Sequence, residues 1–260
     1  MTLLERGRML LSVDGPDFTL QPGDLTVTRP WQQHRVGNPH VPAGRLYWLI
    51  LDVEVRRPHQ SWKWPSWLVL SETDLKELTD MLRHNEQTVW RASDELRHTF
   101  QRIARAVETK SQGRNISRLT LHLNELFLRV LDMCRHSGAR LDTSLSSSYR
   151  SVELFLAELA SKLSYLAQEW TVPRMAEECG LGVTQFVRHC KQFTNVTPLQ
   201  YLNNCRLDAA RRILLEQSGR SVTQVALDCG FSTPQYFATV FGHRFGCTPR
   251  ESRENRSRKS

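Results

Sequence analysis

Ser221-Val222-Thr223-Gln224-Val225-Ala226-Leu227-Asp228-Cys229-Gly230-Phe231 is the stretch on which the fold of this chain turns. Its spacing predicts a short helix stopped by glycine. Ala226 and Cys229 are small enough for a second helix to cross against them, and Gly230 supplies the left-handed conformation that ends a helix. The pattern has a copy at an offset of 50 residues, where Ala176-Glu177-Glu178-Cys179-Gly180-Leu181 matches Ala226-Leu227-Asp228-Cys229-Gly230-Phe231. Past the turn the offset is 51: Phe186 matches Phe237, Cys190 matches Phe241, Asn195 matches Gly246, and Thr197-Pro198 matches Thr248-Pro249. One inserted turn residue accounts for the change.

Each copy, residues 172–198 and 222–249, has the logic of a helix-turn-helix. In the second helix, Phe186 or Phe237 and the residue four later face inward, and the other face is left free for DNA. Thr197-Pro198-Leu199-Gln200, Thr248-Pro249-Arg250-Glu251 and Ser221-Val222-Thr223-Gln224 read as capping boxes, two of them with Pro at the first helical position. One such pattern is weakly specific. Two in tandem, joined by a helical segment over 201–216, are far more so.

Upstream the chain changes character twice. Residues 1–70 carry short β signals: Arg8-Met9-Leu10-Leu11-Ser12-Val13, Phe18-Thr19-Leu20, Leu25-Thr26-Val27-Thr28 and the apolar run 46–55, separated by turns such as Asp14-Gly15-Pro16-Asp17. Strands at this spacing predict a small barrel or sandwich. Over 71–140 the period becomes helical, through Leu75, Leu78, Leu82, then Phe100, Ile103, Val107. A longer stripe follows, Ile116, Leu119, Leu123, Leu126 and Val130, with Ser117 as its cap and Ser137-Gly138 as its end. That stripe is either intramolecular core or a homodimer seam over 116–130. The Ser-rich stretch at 144–150 reads as a linker to an all-helical domain at 151–253, and 254–260 as a basic tail.

Composition narrows the function. At 260 residues, 40% hydrophobic and 24% charged, the chain is long enough for two ordinary globular domains. The net charge of +8 permits a polyanionic partner; it divides equally about Arg150, so charge alone does not say which half would touch nucleic acid. No apolar run approaches the roughly 20 residues of a membrane helix. The first residues lack a signal-peptide core, so the cytoplasm is the expected location and no membrane the expected partner. The six cysteines lack C-x-x-C or zinc-finger spacing and read as reduced, buried thiols.

The tandem arrangement over roughly 150–252 resembles the AraC/XylS family of bacterial transcription regulators. The likeness is strongest in 221–231, then Tyr236-Phe237, Phe241 and Gly246-Cys247-Thr248-Pro249; Arg206-Leu207-Asp208-Ala209-Ala210-Arg211-Arg212-Ile213-Leu214-Leu215 is similar to the family's linker helix. The front half resembles the family's cupin-like sensor domain more loosely, in Gln21-Pro22-Gly23-Asp24-Leu25 and in Pro30-Trp31-Gln32-Gln33-His34. The resemblance implies an α+β multidomain protein. Its cupin-like β-barrel and helices span 1–143, with the family's dimerisation helices in the helical part, and two helix-turn-helix units bridged by a long helix bind double-stranded DNA. Strands that usually precede Gly7 in such domains are expected to be missing, through a misplaced start or an incomplete barrel.

With Phe186 and Cys190 inside, the first reading helix turns Thr184, Gln185, Arg188, His189 and Gln192 outward; the second turns out Thr233, Pro234, Gln235, Ala238, Thr239 and His243. Arg188 holds the family's usual Arg position, for guanine O6 and N7, for phosphate, or as a surface charge. Thr239 stands where the family often has Arg, which predicts weak base reading by the second unit. Gln235 is also expected to serve Ser232 in a capping box, and Arg244, Arg250 and Arg253 to contact phosphate, with the 254–260 tail adding non-specific attraction. His34 has no His at 32 or 36, so no metal site, cofactor or catalytic residue is expected. Trp62, Trp64 and Trp67 read as core or interface, with an aromatic pocket as the alternative. The sequence therefore predicts a sequence-specific DNA-binding transcription regulator, not an enzyme, answering to a small-molecule effector and meeting RNA polymerase if it activates. A metal-dependent cupin enzyme fused to a DNA-binding module and a non-specific DNA binder are the alternatives.

Overall fold

A computed structural model describes residues 1–37, 40–108, 115–138, 140–217 and 219–257, with the side chains of 255–257 not described. It divides into two compact units, Met1–Ser147 and Ser148–Ser260.

In the first unit the strands are β1 (Thr2–Arg6), β2 (Met9–Val13), β3 (Asp17–Leu20), β4 (Asp24–Thr26), β5 (His34–Val36), β6 (Arg45–Trp48) and β7 (Val89–Arg91). The helices are α1 (Glu72–His84), α2 (Asp94–Glu108) and α3 (Ile116–His136). All described pairings are antiparallel and form two sheets, ordered β6-β1-β4-β7 and β3-β2-β5. Among the described residues the sheets do not close into the single ring expected of a barrel.

Alternation along the strands decides how the sheets pack. Successive side chains point to opposite faces. Leu3 of β1 accordingly joins Leu25, Trp90, Leu96, Phe100 and Leu126 in the larger core, between the four-stranded sheet and the helices. Leu4 joins Met9, Leu11, Val13 and Leu20 in a smaller core. The Val89-Trp90-Arg91 segment, expected to lie among helices, is a strand because it pairs with β4 and drops Trp90 into the larger core. Strand β1 lies upstream of the first strand the sequence predicts, and β6 stops at Trp48 rather than continuing to Val55.

Trp62 and Trp64 pack on one another at 5.6 Å, and Trp64 meets Phe127 edge-on at 5.7 Å while donating to Thr79 at 2.8 Å. The tryptophans thus complete the core. Arg135 ties α3 to α1 through Asp74 (2.7 Å) and Glu77 (2.6 Å), and its hydrogen bonds hold both carboxyls below their usual range.

The stripe on α3 divides in two. Leu126 and Val130 are buried within their own unit, whereas Ile116 is 66% exposed. A seam running the whole of 116–130 is therefore corrected: its C-terminal part is intramolecular core. Asn115, not Ser117, stands at the N-cap, without a side-chain capping bond. The Ser-rich segment is ordered as well: Thr143–Ser146 forms a 3-10 turn capped by Asp142.

The second unit is all helical: α4 (Ser148–Ser161), α5 (Leu163–Leu166), α6 (Val172–Glu178), α7 (Val183–Thr194), α8 (Pro198–Glu216), α9 (Val222–Asp228), α10 (Pro234–Phe245) and α11 (Pro249–Ser257). Its core gathers Phe155, Met175, Phe186, Leu202, Ala210, Phe237 and Phe241. Ring contacts of Phe155 with Trp170 (5.0 Å) and Phe186 (6.1 Å) join α4 to the first helix-turn-helix. The basic tail expected from 254 is helical through Ser257; residues 258–260 lie outside the described residues.

Two comparisons test this packing. Leu126→Ala should destabilise the first unit by about 2–5 kcal/mol, the usual cost of emptying a fully buried leucine site. Ile116→Ala should cost less than about 0.5 kcal/mol. Urea unfolding followed by tryptophan fluorescence reads this, since every tryptophan except Trp170 belongs to the first unit. In the second unit, Gly230 has φ +87°, and a Cβ there would strike the Leu166 carbonyl oxygen and the Arg206 guanidinium. Gly230→Ala should cost about 1–2 kcal/mol from the backbone alone, and more from the collision. Gly242→Ala, with open space around it, should instead stabilise α10 by about 1 kcal/mol, measured by thermal unfolding.

Candidate nucleic-acid interface

The site is built from two copies of one turn. In the first, the Leu181 amide returns to the Ala176 carbonyl at 3.0 Å, with Gly180 at φ +66°. In the second, the Phe231 amide returns to Ala226 at 3.0 Å across Gly230. Ala176, Cys179, Ala226 and Cys229 are all buried, as close helix crossing requires. Burial pushes the Cys229 thiol up to about 11 and raises that of Cys190, so both stay protonated and act as small apolar groups. Phe186 and Cys190 on α7, and Phe237 and Phe241 on α10, fix which face of each reading helix points out.

Helix α8 holds the copies together. Thr197 and Gln200 form its capping box, and Leu202, Cys205, Ala209, Ala210, Ile213 and Leu214 are buried along it. Arg206 turns inward instead, donating to the carbonyls of Leu166 (2.9 Å) and Gln168 (2.8 Å), and burial lowers its pKa. Tyr201 donates to the Leu156 carbonyl at 3.1 Å. The box at α11 also forms, with Thr248 N–H donating to Glu251 (2.8 Å) and Glu251 N–H to Thr248 (3.2 Å).

Two expected caps are different. Ser221 caps the Gln224 amide, but the Gln224 side chain donates to Asp228 at 2.8 Å rather than back to Ser221. At α10 the cap is Thr233, which accepts from the Tyr236 amide at 3.3 Å, so the expected Ser232–Gln235 box does not form.

On α7, Thr184, Gln185, Arg188 and Gln192 are exposed. His189 is half-buried, edge-on to Tyr149 at 5.1 Å and within 2.9 Å of Gln192. On α10, Gln235, Ala238, Thr239 and His243 are exposed and Pro234 is half-buried. The Thr239 hydroxyl donates to the Gln235 carbonyl of its own helix at 3.1 Å, and Thr233 is engaged as the cap. The α10 face is thus short on free donors, where α7 presents Gln185 and Arg188.

The three arginines expected at phosphates differ in setting. Arg244 grips Asp208 through two nitrogens at 2.7–3.3 Å and Asn204 at 2.7 Å, which ties α10 to α8. Arg253 donates to the Arg220 carbonyl. Arg250 is exposed, with Glu254 at 3.4 Å. His243 and Arg244 also line a groove of about 390 Å³ between α8 and α10. Sequence reasoning passed over Lys191, exposed in the last turn of α7, and Arg212, exposed on α8; the helical period places each beside an inward residue, Cys190 and Ile213, and marks both as outward.

Parts of the chain are similar to known proteins. Residues 175–255 match a family model described as a helix-turn-helix domain. The chain is 34% identical over 167 residues to the HTH-type transcriptional activator RhaS of Escherichia coli O139:H28, a match covering 64% of this chain and 58% of that protein. Among solved structures, the DNA-binding domain of AdpA in complex with a target DNA is 33% identical, with a TM-score of 0.37, and covers 40% of this chain and 94% of that one. An AraC-type regulator from Chromobacterium violaceum is 29% identical, with a TM-score of 0.37, and covers 42% and 96%. Over 175–255 the chain thus carries a helix-turn-helix domain of the AraC/XylS type.

Proposed function

We propose that the protein is a sequence-specific transcription regulator that binds double-stranded DNA in its promoter or operator. The observation that carries the reading is the pair of turn-and-helix units on one buried spine, each with its apolar pair inward and a polar face exposed. A helix so held can enter a major groove, where outward side chains meet base edges and flanking groups meet phosphate. Arg188, Gln185, Thr184 and Gln192 read bases from α7. Gln235, Ala238 and Thr239 do so from α10 with less hydrogen-bonding power, while His189 and Arg244 position their helices. Arg250, Lys191 and Arg212 suit phosphates.

The first unit, on this reading, is the cupin-like sensor and self-association domain, and the protein is not an enzyme. A cavity of about 310 Å³ between β6 and α2, lined by Tyr47, Trp48, Phe100, Ile103 and Leu126, supports a small-molecule effector there. The activator role of the RhaS relative supports contact with RNA polymerase; the chain spans 58% of that protein, and this role is carried over as a proposal. No helix among the described residues is long and apolar enough to cross a membrane; the cytoplasmic location proposed follows from the proposed DNA binding.

Residues 148–260 should fold and bind DNA alone, because that unit has its own core. The circular dichroism spectrum and duplex binding of the purified fragment check this; an unfolded or DNA-inert fragment refutes it. Within the complex, Arg188→Ala should relax base preference in one half of the site by about tenfold or more, since a bidentate Arg–guanine pair contributes roughly 1–3 kcal/mol of discrimination. Thr239→Ala should change little, because its hydroxyl already donates to Gln235. Selection from randomised duplexes at fixed salt measures both. Uniformly weaker binding with unchanged preference in Arg188→Ala would move Arg188 to the phosphates, and a high specificity ratio for the native protein separates it from a non-specific binder.

A further inference from the structure

The first unit contains a concentration of positive charge that DNA reading by the second does not use. Where the end of α2 meets the start of α3, a cleft of about 210 Å³ is lined by Arg102, Arg105, Ala106, Asn115, Arg118 and His122. Three guanidiniums and an imidazole line this volume, and no carboxylate among the described residues does. The nearby acid, Glu125, is already committed. It accepts from Arg102 at 2.7 and 2.8 Å and from Arg129 at 2.8 Å, with His122 at 3.9 Å. Burial acts to raise the Glu125 carboxyl, but those hydrogen bonds outweigh it and hold it ionised below its usual range.

Two further features shape the cleft. The Arg102 Nε is buried without a hydrogen-bond partner among the described residues, a donor left over after Glu125 has been served. Asn115 donates to the Ala106 carbonyl at 3.3 Å, a bond between two lining residues that ties the end of α2 to the start of α3.

We propose that this cleft binds a small oxyanion, a phosphate or carboxylate group on a compact metabolite. Like charges crowded into a concave surface repel, and an oxyanion among them relieves that repulsion. Planar guanidinium groups match carboxylate and phosphate oxygens two at a time, in charge-assisted hydrogen bonds. The volume holds one such anion with a few carbon atoms and excludes a nucleic-acid duplex. The site is separate from the apolar cavity beside Tyr47 and Trp48, and its occupancy links α2 to α3 at their ends.

The test is isothermal titration of the full chain at constant ionic strength with inorganic phosphate, with succinate, and with sodium chloride as the control. Saturable binding of phosphate or of succinate is expected, and the stronger of the two identifies the anion class. Arg118→Gln, at an exposed position, should weaken that binding about tenfold or more, and Arg105→Gln should do likewise. Circular dichroism establishes that each variant is folded. Arg188→Ala should leave the titration unchanged. Heats no larger than those of chloride, or saturable binding that Arg118→Gln leaves intact, would overturn the proposal. So would a flat phosphate titration together with weaker duplex binding in Arg118→Gln, which would make the cleft a polyanion surface. The titration contains no DNA, so failure of the proposed DNA-binding function would not alter its outcome.

Discussion

The second unit depends on burying one face of α8. Leu202, Cys205, Ala209, Ala210, Ile213 and Leu214 lie along that face, and both helix-turn-helix copies dock on the core it builds. At Arg206 the same helix spends a charged side chain on two backbone carbonyls instead of on solvent. That guanidinium fits only because residue 230 has no Cβ. The glycine that ends α9 therefore also makes room for the group joining α8 to the end of α5. A left-handed turn and a half-buried guanidinium are satisfied by one missing methyl, which couples the local conformation of the second turn to the packing around Leu166 and Arg206.

Equivalence of backbone does not bring equivalence of surface. The two units share the inward pair four residues apart and the left-handed residue that closes the reading helix, Asn195 at φ 59° and Gly246 at φ 68°. Their outward faces diverge: Arg188 on α7 stands where α10 carries Thr239, whose hydroxyl is turned onto its own helix. Arg244, the cation at the end of α10, is occupied by Asp208 and Asn204. The two units thus share one scaffold, while α7 turns an exposed Arg188 outward where α10 turns Thr239.

In the first unit the constraint is alternation. Leu3 and Leu4 are consecutive on β1 and belong to different cores, so this strand is the seam between the four-stranded and three-stranded sheets. The helices then cover only the face that Leu3 and Trp90 present. This leaves the cleft between α2 and α3 at the edge of the core, where Glu125 holds Arg102 and Arg118 is exposed to water.

Much of the second unit was legible in the sequence. Its period of apolar residues, its glycines and its Thr-Pro starts are local features, and each acts within one helical turn of where it is read. The inward pairs and the caps at Thr197 and Thr248 follow from that. The sequence did not decide which of two adjacent hydroxyls, Ser232 or Thr233, would cap α10, because a one-residue change in register exchanges them. Nor did it reveal that Arg244 would meet Asp208, 36 residues away, or that Val89-Trp90-Arg91 would be a strand. Three residues have no period to read, and they are extended because β4 supplies partners from far along the chain. The sequence by itself determined the repeated turns and the apolar faces, since these rest on short-range sterics and periodicity. Only the tertiary structure decided which charged groups are paired, which half of the α3 stripe is core and where the basic cleft opens, since those depend on contacts between residues the chain brings together from a distance.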